Sequence, residues 1–416
     1  MICGLLGQKL GHSCSPQIHR ELSNYSYHLF EKEPEQIEAF LRSGDFHGIN
    51  VTIPYKKSVI PFCDTLTEQA QKLGAVNTIV RQKDGTLLGH NTDYFGFRSM
   101  AERTGIHFAG KKVLVLGSGG ASNTVCCVMQ ELGAEVVVIS RNGENNYNNL
   151  HLHADCSAIV NATPVGMYPN TGVSPIDLSQ FPKLDCVMDL IYNPGKTRLI
   201  MDAEKRGIPA ENGLWMLVAQ AKESAELFSS HKIDNKEIQR IYDILKNQME
   251  NIILIGMPGS GKSTVGKLLA AKLGREFIDS DCCIEEYTGK TISEIFSSQG
   301  EEGFRAIETH ILSELGKKSG LVIATGGGCV TKPENYPLLH QNGIIIWLQR
   351  DLDILPTNGR PLSQKNNLKD MYEIRKPMYE KFADITVDNN CIPEKTVESI
   401  LARWNYEAFD NQWSQY

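Results

Sequence analysis

The sequence predicts an α/β protein with parallel sheets, divided into consecutive units. Two observations carry that prediction. Apolar runs of strand length alternate with helix-length amphipathic stretches over most of the chain, the pattern of βαβ crossovers. Two of those runs end in glycine-rich turns of different chemistry, Gly117-Ser118-Gly119-Gly120-Ala121 and Gly256-Met257-Pro258-Gly259-Ser260-Gly261-Lys262-Ser263-Thr264. A length of 416 residues corresponds to about two or three domains.

Taken in order, residues 1–100 mix strands and helices, with buried strands at Ile2–Gly7 and Gly48–Pro54 and a helix at Pro34–Leu41. Residues 101–212 repeat strand and helix, with strands at 112–117, 135–140, 158–162 and 185–190. That alternation implies a doubly wound parallel sheet. Helices follow at 213–229 and 234–249, and the helical stretch near 213–245 completes the first unit. Residues 230–250 serve as the connecting helix or linker. A second parallel unit occupies 251–416, with strands at 252–255, 321–324 and 344–348.

Hydrophobic and charged fractions of 41% and 22% are ordinary globular values. The net charge is −7 and the Lys and Arg residues are scattered. Nucleic-acid backbones demand concentrated positive charge, so that partner class is excluded. No run reaches the ~18 apolar residues of a membrane span. Met1–Gly7 lacks the basic start and long apolar core of a signal peptide. Eleven cysteines include the adjacent pairs Cys126-Cys127 and Cys282-Cys283, with no zinc-like spacing. An odd count without a secretion signal implies reduced thiols and a cytoplasmic location.

Gly256–Thr264 fits G-x-x-x-x-G-K-[ST] between a strand and a helix. Its backbone N–H groups, including those of Gly259, Ser260, Gly261 and Thr264, suit a polyphosphate at the positive end of a helix dipole. Lys262 reaches the outer phosphates, and Ser263 ligates Mg²⁺. Asp279 supports the same Mg²⁺, while Asp281 accepts from a substrate hydroxyl. Arg305 suits a bidentate carboxylate contact. Gly327 lies in a triple glycine after a strand, where N–H groups approach a ligand closely. Arg360 and Arg375 add two cations.

The first glycine-rich turn, Gly117–Ala121, fits a dinucleotide turn imperfectly, and a simple tight turn fits as well. The next strand ends at Ser140-Arg141-Asn142 with no carboxylate. NAD-binding folds place an acid there, whereas arginine pairs with a 2′-phosphate, so the pattern favours a Rossmann-type NADP domain. Ahead of it stand Ser13 and Ser15, then Thr52 and Lys56, then Asn77, then Asp93. Each alone also reads as a cap, a turn former or a surface group.

Together these segments resemble shikimate dehydrogenase. The resemblance rests on Gly11–Pro16, Asn50–Lys56, Gly74–Thr78, Asn91-Thr92-Asp93, Asn161–Met167, Tyr192-Asn193-Pro194 and Gly213–Ala221, in the family's order. It implies that Ser13, Ser15, Thr52, Asn77 and Gln220, with Tyr192 nearby, hold 3-dehydroshikimate or shikimate. It implies a catalytic pair of Lys56 and Asp93, either of which could move the proton. Gly213 joins Gly117–Ala121, Ser140 and Arg141 around NADP(H). Two departures are Pro164, where serine is common, and Tyr94, where a small residue is common.

Residues 251–404 resemble shikimate kinase through Asp279-Ser280-Asp281, Phe304-Arg305-Ala306-Ile307-Glu308, Gly326-Gly327-Gly328 and Arg360-Pro361-Leu362. The resemblance implies ATP and Mg²⁺ as co-reactants and a P-loop kinase fold. Asp281, Arg305, Gly327 and Arg375 would bind shikimate. Lys262 and Arg360 would neutralise the transferring phosphoryl group, and Asp281 would orient the 3-hydroxyl or take its proton. Many family members carry another arginine shortly before Arg-Pro-Leu; here the nearest is Arg350, at a strand end.

Overall fold

The computed structural model describes residues 1–11, 13–355 and 365–410. Arg360, with Gly359 and Pro361-Leu362, lies outside the described residues. The chain divides into two compact units. The first comprises Met1–Met167, Val173–Tyr192 and Leu199–Ile244; the second comprises Tyr168–Gly172, Asn193–Arg198 and Leu245–Tyr416.

The first unit holds two sheets. Strands β1 (Ile2–Gly7), β2 (Ser26–Glu31), β3 (Gly48–Val51), β4 (Thr65–Leu66), β5 (Thr78–Arg81) and β6 (Leu87–His90) form the first. Its order is β2-β1-β3-β5-β6-β4, with β5 antiparallel to both β3 and β6. Strands β7 (Lys112–Leu116), β8 (Glu135–Ile139), β9 (Ala158–Asn161), β10 (Cys186–Asp189) and β11 (Ala210–Asn212) form the second. These run parallel in the order β11-β10-β9-β7-β8. The order reverses between β7 and β9, and ligands of open α/β sheets bind outside the carboxyl ends of strands at such a point. The second sheet is apolar on both faces. Val113 and Val115 enter one buried cluster, Leu114 and Leu116 another.

The second unit is built on a third sheet. Its strands are β12 (Asn251–Ile255), β13 (Phe277–Asp279), β14 (Val322–Ala324), β15 (Gly343–Gln349) and β16 (Ile385–Asp388). All pairings are parallel, in the order β13-β14-β12-β15-β16. The same alternation recurs: Ile253 and Ile255 pack on one face, Ile252 and Leu254 on the other. Each such fully buried aliphatic side chain contributes about 1.5–3 kcal/mol. No helix among the described residues is long and apolar enough to cross a membrane.

Candidate active sites

In the first unit, two helices carry the central groups. Helix Asp93–Arg103 lies against helix Leu214–Ser229 at near backbone contact. A Cβ on Gly96 would sit 2.7 Å from Met216 O and 2.9 Å from Gln220 Cβ. That approach sets Thr92 and Asp93 beside Gln220, where Thr92 Oγ1 donates to Gln220 Oε1 at 3.4 Å. Lys56 follows β3 and donates through Nζ to Asp93 Oδ2 at 2.6 Å. The two side chains are 32% and 19% exposed, so an approaching ligand can reach the pair.

Asn77 is delivered by a helix stop. Helix Glu68–Leu73 ends at Gly74 in the left-handed region (φ +58°), and the chain turns back into β5. Asn77 is buried; its Oδ1 accepts from Thr92 N at 2.7 Å and its Nδ2 donates to Thr92 Oγ1 at 3.1 Å. Behind it runs a buried polar chain. Ser224 Oγ lies 3.0 Å from Thr92 Oγ1 and 3.1 Å from Thr78 Oγ1, and accepts from Asn50 Nδ2 at 2.8 Å. Asn50 Oδ1 accepts from the Tyr27 hydroxyl at 2.7 Å. His19 stacks on Tyr27 at 4.0 Å, and burial pulls its pKa down to about 3, so it stays neutral. Burial drives the Tyr27 phenol well above its ordinary value, opposed by a hydrogen bond with the Ser15 side chain.

Ser15 is thus tied to the chain that ends at Asn77. Ser13 Oγ accepts from Ser15 N at 3.2 Å, fixing the turn before helix Ser15–Leu22. Thr52 is half-buried and its N–H donates to Leu6 O at 2.9 Å. Burial raises the Tyr192 phenol, and the Cys14 thiol adds to the shift. The structure therefore joins Ser15, Asn77 and Gln220 through one polar network, reached by Ser13 through Ser15 N, with the Lys56–Asp93 pair at its edge.

The dinucleotide turn leaves β7. Gly117 adopts φ +108°, and a Cβ there would press on Thr163 Cγ2 at 3.0 Å and Ala162 O at 3.1 Å. Ser122 Oγ closes the turn onto Gly117 O at 2.7 Å. Helix Gly120–Glu131 starts at Gly119 with no side-chain cap, and among the described residues nothing beyond the adjoining backbone lies within 4 Å of a Cβ built on Gly119 or Gly120. Ser118, Gly119, Gly120 and Ala121 are exposed, so the helix start is open to a pyrophosphate. Ser140 and exposed Arg141 follow β8, where no carboxylate stands. The Asn-rich stretch after them forms a knot of turns rather than a helix. Asn146 N donates to Asn149 Oδ1 at 2.8 Å and Asn149 Nδ2 to Glu144 O at 2.9 Å. Buried Gly213 lies against Leu190, the residue after β10, where a Cβ would fall 2.0 Å from Leu190 O.

In the second unit the groups gather at the carboxyl ends of the strands. After β12 the chain passes through Gly259 (φ +84°) and Gly261 (φ +93°) into helix Lys262–Leu273, which again starts without a side-chain cap. Lys262 Nζ donates to Gly256 O at 2.9 Å and Met257 O at 3.0 Å, so the ammonium lies along its own loop. Ser260 O accepts from Asn389 Nδ2 at 2.6 Å, which pins the loop to the segment after β16. Ser263 Oγ donates to Asp279 Oδ2 at 2.6 Å, and Asp279 Oδ1 accepts from Asp281 N at 3.1 Å. This hydroxyl–carboxylate pair beside a phosphate loop is an oxygen donor set that suits Mg²⁺. Among the described residues, no group of three or more His, Cys, Asp or Glu converges on a metal position.

Asp281 Oδ1 is buried with no hydrogen-bond partner among the described residues. Burial raises its pKa, the Asp279 carboxylate adds to the rise, and Lys262 and Arg305 oppose it. Helix Ile292–Gly316 is broken at Gly300 (φ +71°), and the turns beyond carry Arg305 and Glu308. Arg305 Nη1 donates to Glu308 Oε2 at 2.7 Å, and both side chains are buried. Burial raises Glu308, opposed by Arg305. The triple glycine follows from crowding here. A Cβ on Gly326 would meet Glu308 Oε1 at 2.7 Å and Asp281 Oδ1 at 2.9 Å, and one on Gly328 would meet Arg305 Nη2 at 2.0 Å. Gly327 O accepts from Arg375 Nη1 at 3.1 Å and from the Tyr379 hydroxyl. Asp281, Arg305 and Arg375 thus gather around the triple glycine, with Asp281 near Lys262.

Sequence reasoning passed over Tyr27, Thr78 and Ser224 as site supports. Ser224 stands four residues after Gln220 on one helix face, a spacing that would have found it. Tyr27 sits on a strand that carries no comparable signal.

Comparisons with known proteins match two different families to the two ends of the chain. Residues 5–79 match the shikimate dehydrogenase substrate binding domain model, and residues 258–405 match the shikimate kinase model. A shikimate dehydrogenase (NADP(+)) of Clostridium perfringens is 35% identical over 265 residues, spanning 58% of this chain and 97% of that protein. The crystal structure of shikimate dehydrogenase 1 from Peptoclostridium difficile aligns with a TM-score of 0.54 at 38% identity, covering 59% of this chain and 97% of that one. A Thermus thermophilus shikimate 5-dehydrogenase in complex with NADP(H) and shikimate aligns with a TM-score of 0.54 at 30% identity, covering 58% and 98%.

Proposed function

This chain belongs to the shikimate dehydrogenase family and carries a shikimate kinase domain behind it, and we propose that it catalyses two consecutive steps. The first is NADPH-dependent reduction of 3-dehydroshikimate to shikimate. The second is ATP-dependent phosphorylation of shikimate at its 3-hydroxyl. The observation that carries the reading is the presence of two separate charge constellations in one chain. Lys56 and Asp93 meet at 2.6 Å in the first unit, and an Asp281 oxygen without a hydrogen-bond partner among the described residues stands near Lys262 and Arg305 in the second.

In the first reaction, Ser13, Ser15, Thr52, Asn77, Tyr192 and Gln220 hold the ring hydroxyls and carboxylate. Lys56, oriented by Asp93, gives its proton to the carbonyl oxygen of the keto acid. NADPH supplies the hydride; Gly117–Ala121 and Gly213 would hold it, with Ser140 and Arg141 at the 2′-phosphate. In the second reaction, Arg305 and Arg375 take the shikimate carboxylate, with Gly327 at the ring. Asp281 orients the 3-hydroxyl and accepts its proton. Gly259–Thr264 cradle the triphosphate, Lys262 and Arg360 neutralise the moving phosphoryl group, and Ser263 with Asp279 would hold Mg²⁺.

The assignment of residues 1–100 and 213–245 to the first substrate, 101–212 to NADP(H), 230–250 to the connection and 251–416 to the kinase is part of this reading. Eleven free cysteines support a reducing compartment, the cytoplasm. Lys56→Ala and Lys262→Ala test the reading. Each should abolish one activity and spare the other; loss of neither, or of both together, overturns it. Assays with shikimate and quinate, each with NADP and NAD, fix the specificity, and preference for quinate or NAD would refute it.

A further inference from the structure

We infer that Arg350 is a nucleotide-positioning residue of the kinase, supplying beside the phosphate loop the positive charge that the following segment lacks. The inference rests on the kinase reading above. Arg350 is the first residue after β15, which pairs in parallel with β12, the strand that feeds the phosphate loop. Its guanidinium lies against that loop: a Cβ built on Gly261 would fall 3.4 Å from Arg350 Nη1. Among the described residues, Arg350 Nε is buried without a hydrogen-bond partner, while the residue as a whole is half-buried. Leaving a buried charged donor unmatched is costly unless a ligand completes it.

The wall around the guanidinium points to the same ligand. Asn389 Nδ2 lies 2.7 Å from the same Gly261 Cβ position and holds Ser260 O, and Asn390 Oδ1 accepts from Asp351 N at 2.9 Å. Arg350 therefore sits between the loop that takes phosphates and the segment after β16. From Asp351 to Gly359 the chain is Asp-Leu-Asp-Ile-Leu-Pro-Thr-Asn-Gly, with no Lys, Arg or His. Arg350 is thus the cation nearest in sequence before Arg360, and its guanidinium lies beside the loop at Gly261. A planar guanidinium pairs with phosphate oxygens through parallel N–H bonds that an ammonium cannot reproduce. The ligand it fits is the polyphosphate of ATP rather than the carboxylate substrate, whose arginines stand at Arg305 and Arg375.

The test uses the full chain with Arg350→Ala and Arg350→Lys, and measures the kinase reaction at varied ATP–Mg²⁺ and varied shikimate. Arg350→Ala should raise the ATP KM about tenfold, with kcat at saturating ATP and the shikimate KM little changed. Arg350→Lys should recover part of that loss. Direct ADP binding by calorimetry should weaken in parallel. An unchanged ATP KM in both variants overturns the inference, as does an equal loss for ATP and shikimate, or a fall in kcat with ATP affinity intact. A wild-type chain without shikimate-dependent ADP formation would instead overturn the kinase reading itself.

Discussion

Replacing Ser224 by alanine tests whether the buried polar chain supports the dehydrogenase site. Ser224 is fully buried, and its hydroxyl accepts from Asn50 Nδ2 at 2.8 Å and donates to Gln220 O at 3.0 Å. Asn50 Nδ2 keeps a second acceptor, Thr78 Oγ1 at 3.0 Å. The Thr78 and Thr92 hydroxyls keep Asn77 Oδ1, at 3.1 and 3.2 Å. One amide hydrogen of Asn50 is then left without an acceptor, together with a hydroxyl-sized void. An orphaned buried donor costs about 1–3 kcal/mol, and alanine's better helix propensity returns a few tenths. The expected net loss is about 2 kcal/mol. For a unit of this size that lowers the midpoint by about 4–8 °C. Heating the full chain and assaying both reactions separates the units, because each activity reports its own. The dehydrogenase should inactivate at the lower temperature, and its shikimate KM should rise several-fold as Thr92 and Asn77 lose alignment. The kinase should be unaffected. A dehydrogenase midpoint within about 1 °C of wild type would refute the reasoning.

Two further outcomes follow from geometry and charge. Gly96→Leu inserts a side chain where even a Cβ would lie 2.7 Å from Met216 O, so it should cost about 1–3 kcal/mol and raise the shikimate KM of the dehydrogenase; steady-state kinetics with an unchanged KM and an unchanged melting midpoint would contradict it. Burial holds the Asp281 carboxyl above its ordinary value, so it stays protonated to a higher pH than an exposed aspartate and gains its charge only as pH rises through the raised value. The acid limb of the kinase kcat/KM should therefore lie above the ordinary aspartate value of 3.8 and disappear in Asp281→Asn along with most of the rate; a limb at or below the ordinary value refutes the assignment.

The two nucleotide-type sheets were legible because parallel strands buried on both faces read as continuous apolar runs. Val113–Leu116 and Ile252–Ile255 are examples, and each is closed by glycines that its loop requires. The edge strands were not. Strand β11 is three half-buried residues, Ala210–Asn212, and β2 is largely exposed, so neither carries an apolar run or clean alternation. The site residues were legible as motifs, and their supports were not. Ser224 and Thr78 gain meaning only because β3, β5 and the helix Leu214–Ser229 converge, a contact between positions 146 residues apart in sequence. The glycines at 326 and 328 showed as a motif, but their reason, the buried carboxylates and guanidinium pressing on them, needed the fold.

Incubation of the full chain with 3-dehydroshikimate, NADPH and ATP–Mg²⁺, with products identified by mass, tests the central claim most directly. The account predicts one NADPH oxidised and one ADP formed per molecule of shikimate 3-phosphate. It also predicts that shikimate accumulates in Lys262→Ala and that 3-dehydroshikimate persists in Lys56→Ala. NADPH oxidation without phosphorylated product in the wild-type chain, or ADP formation that does not depend on shikimate, would contradict it.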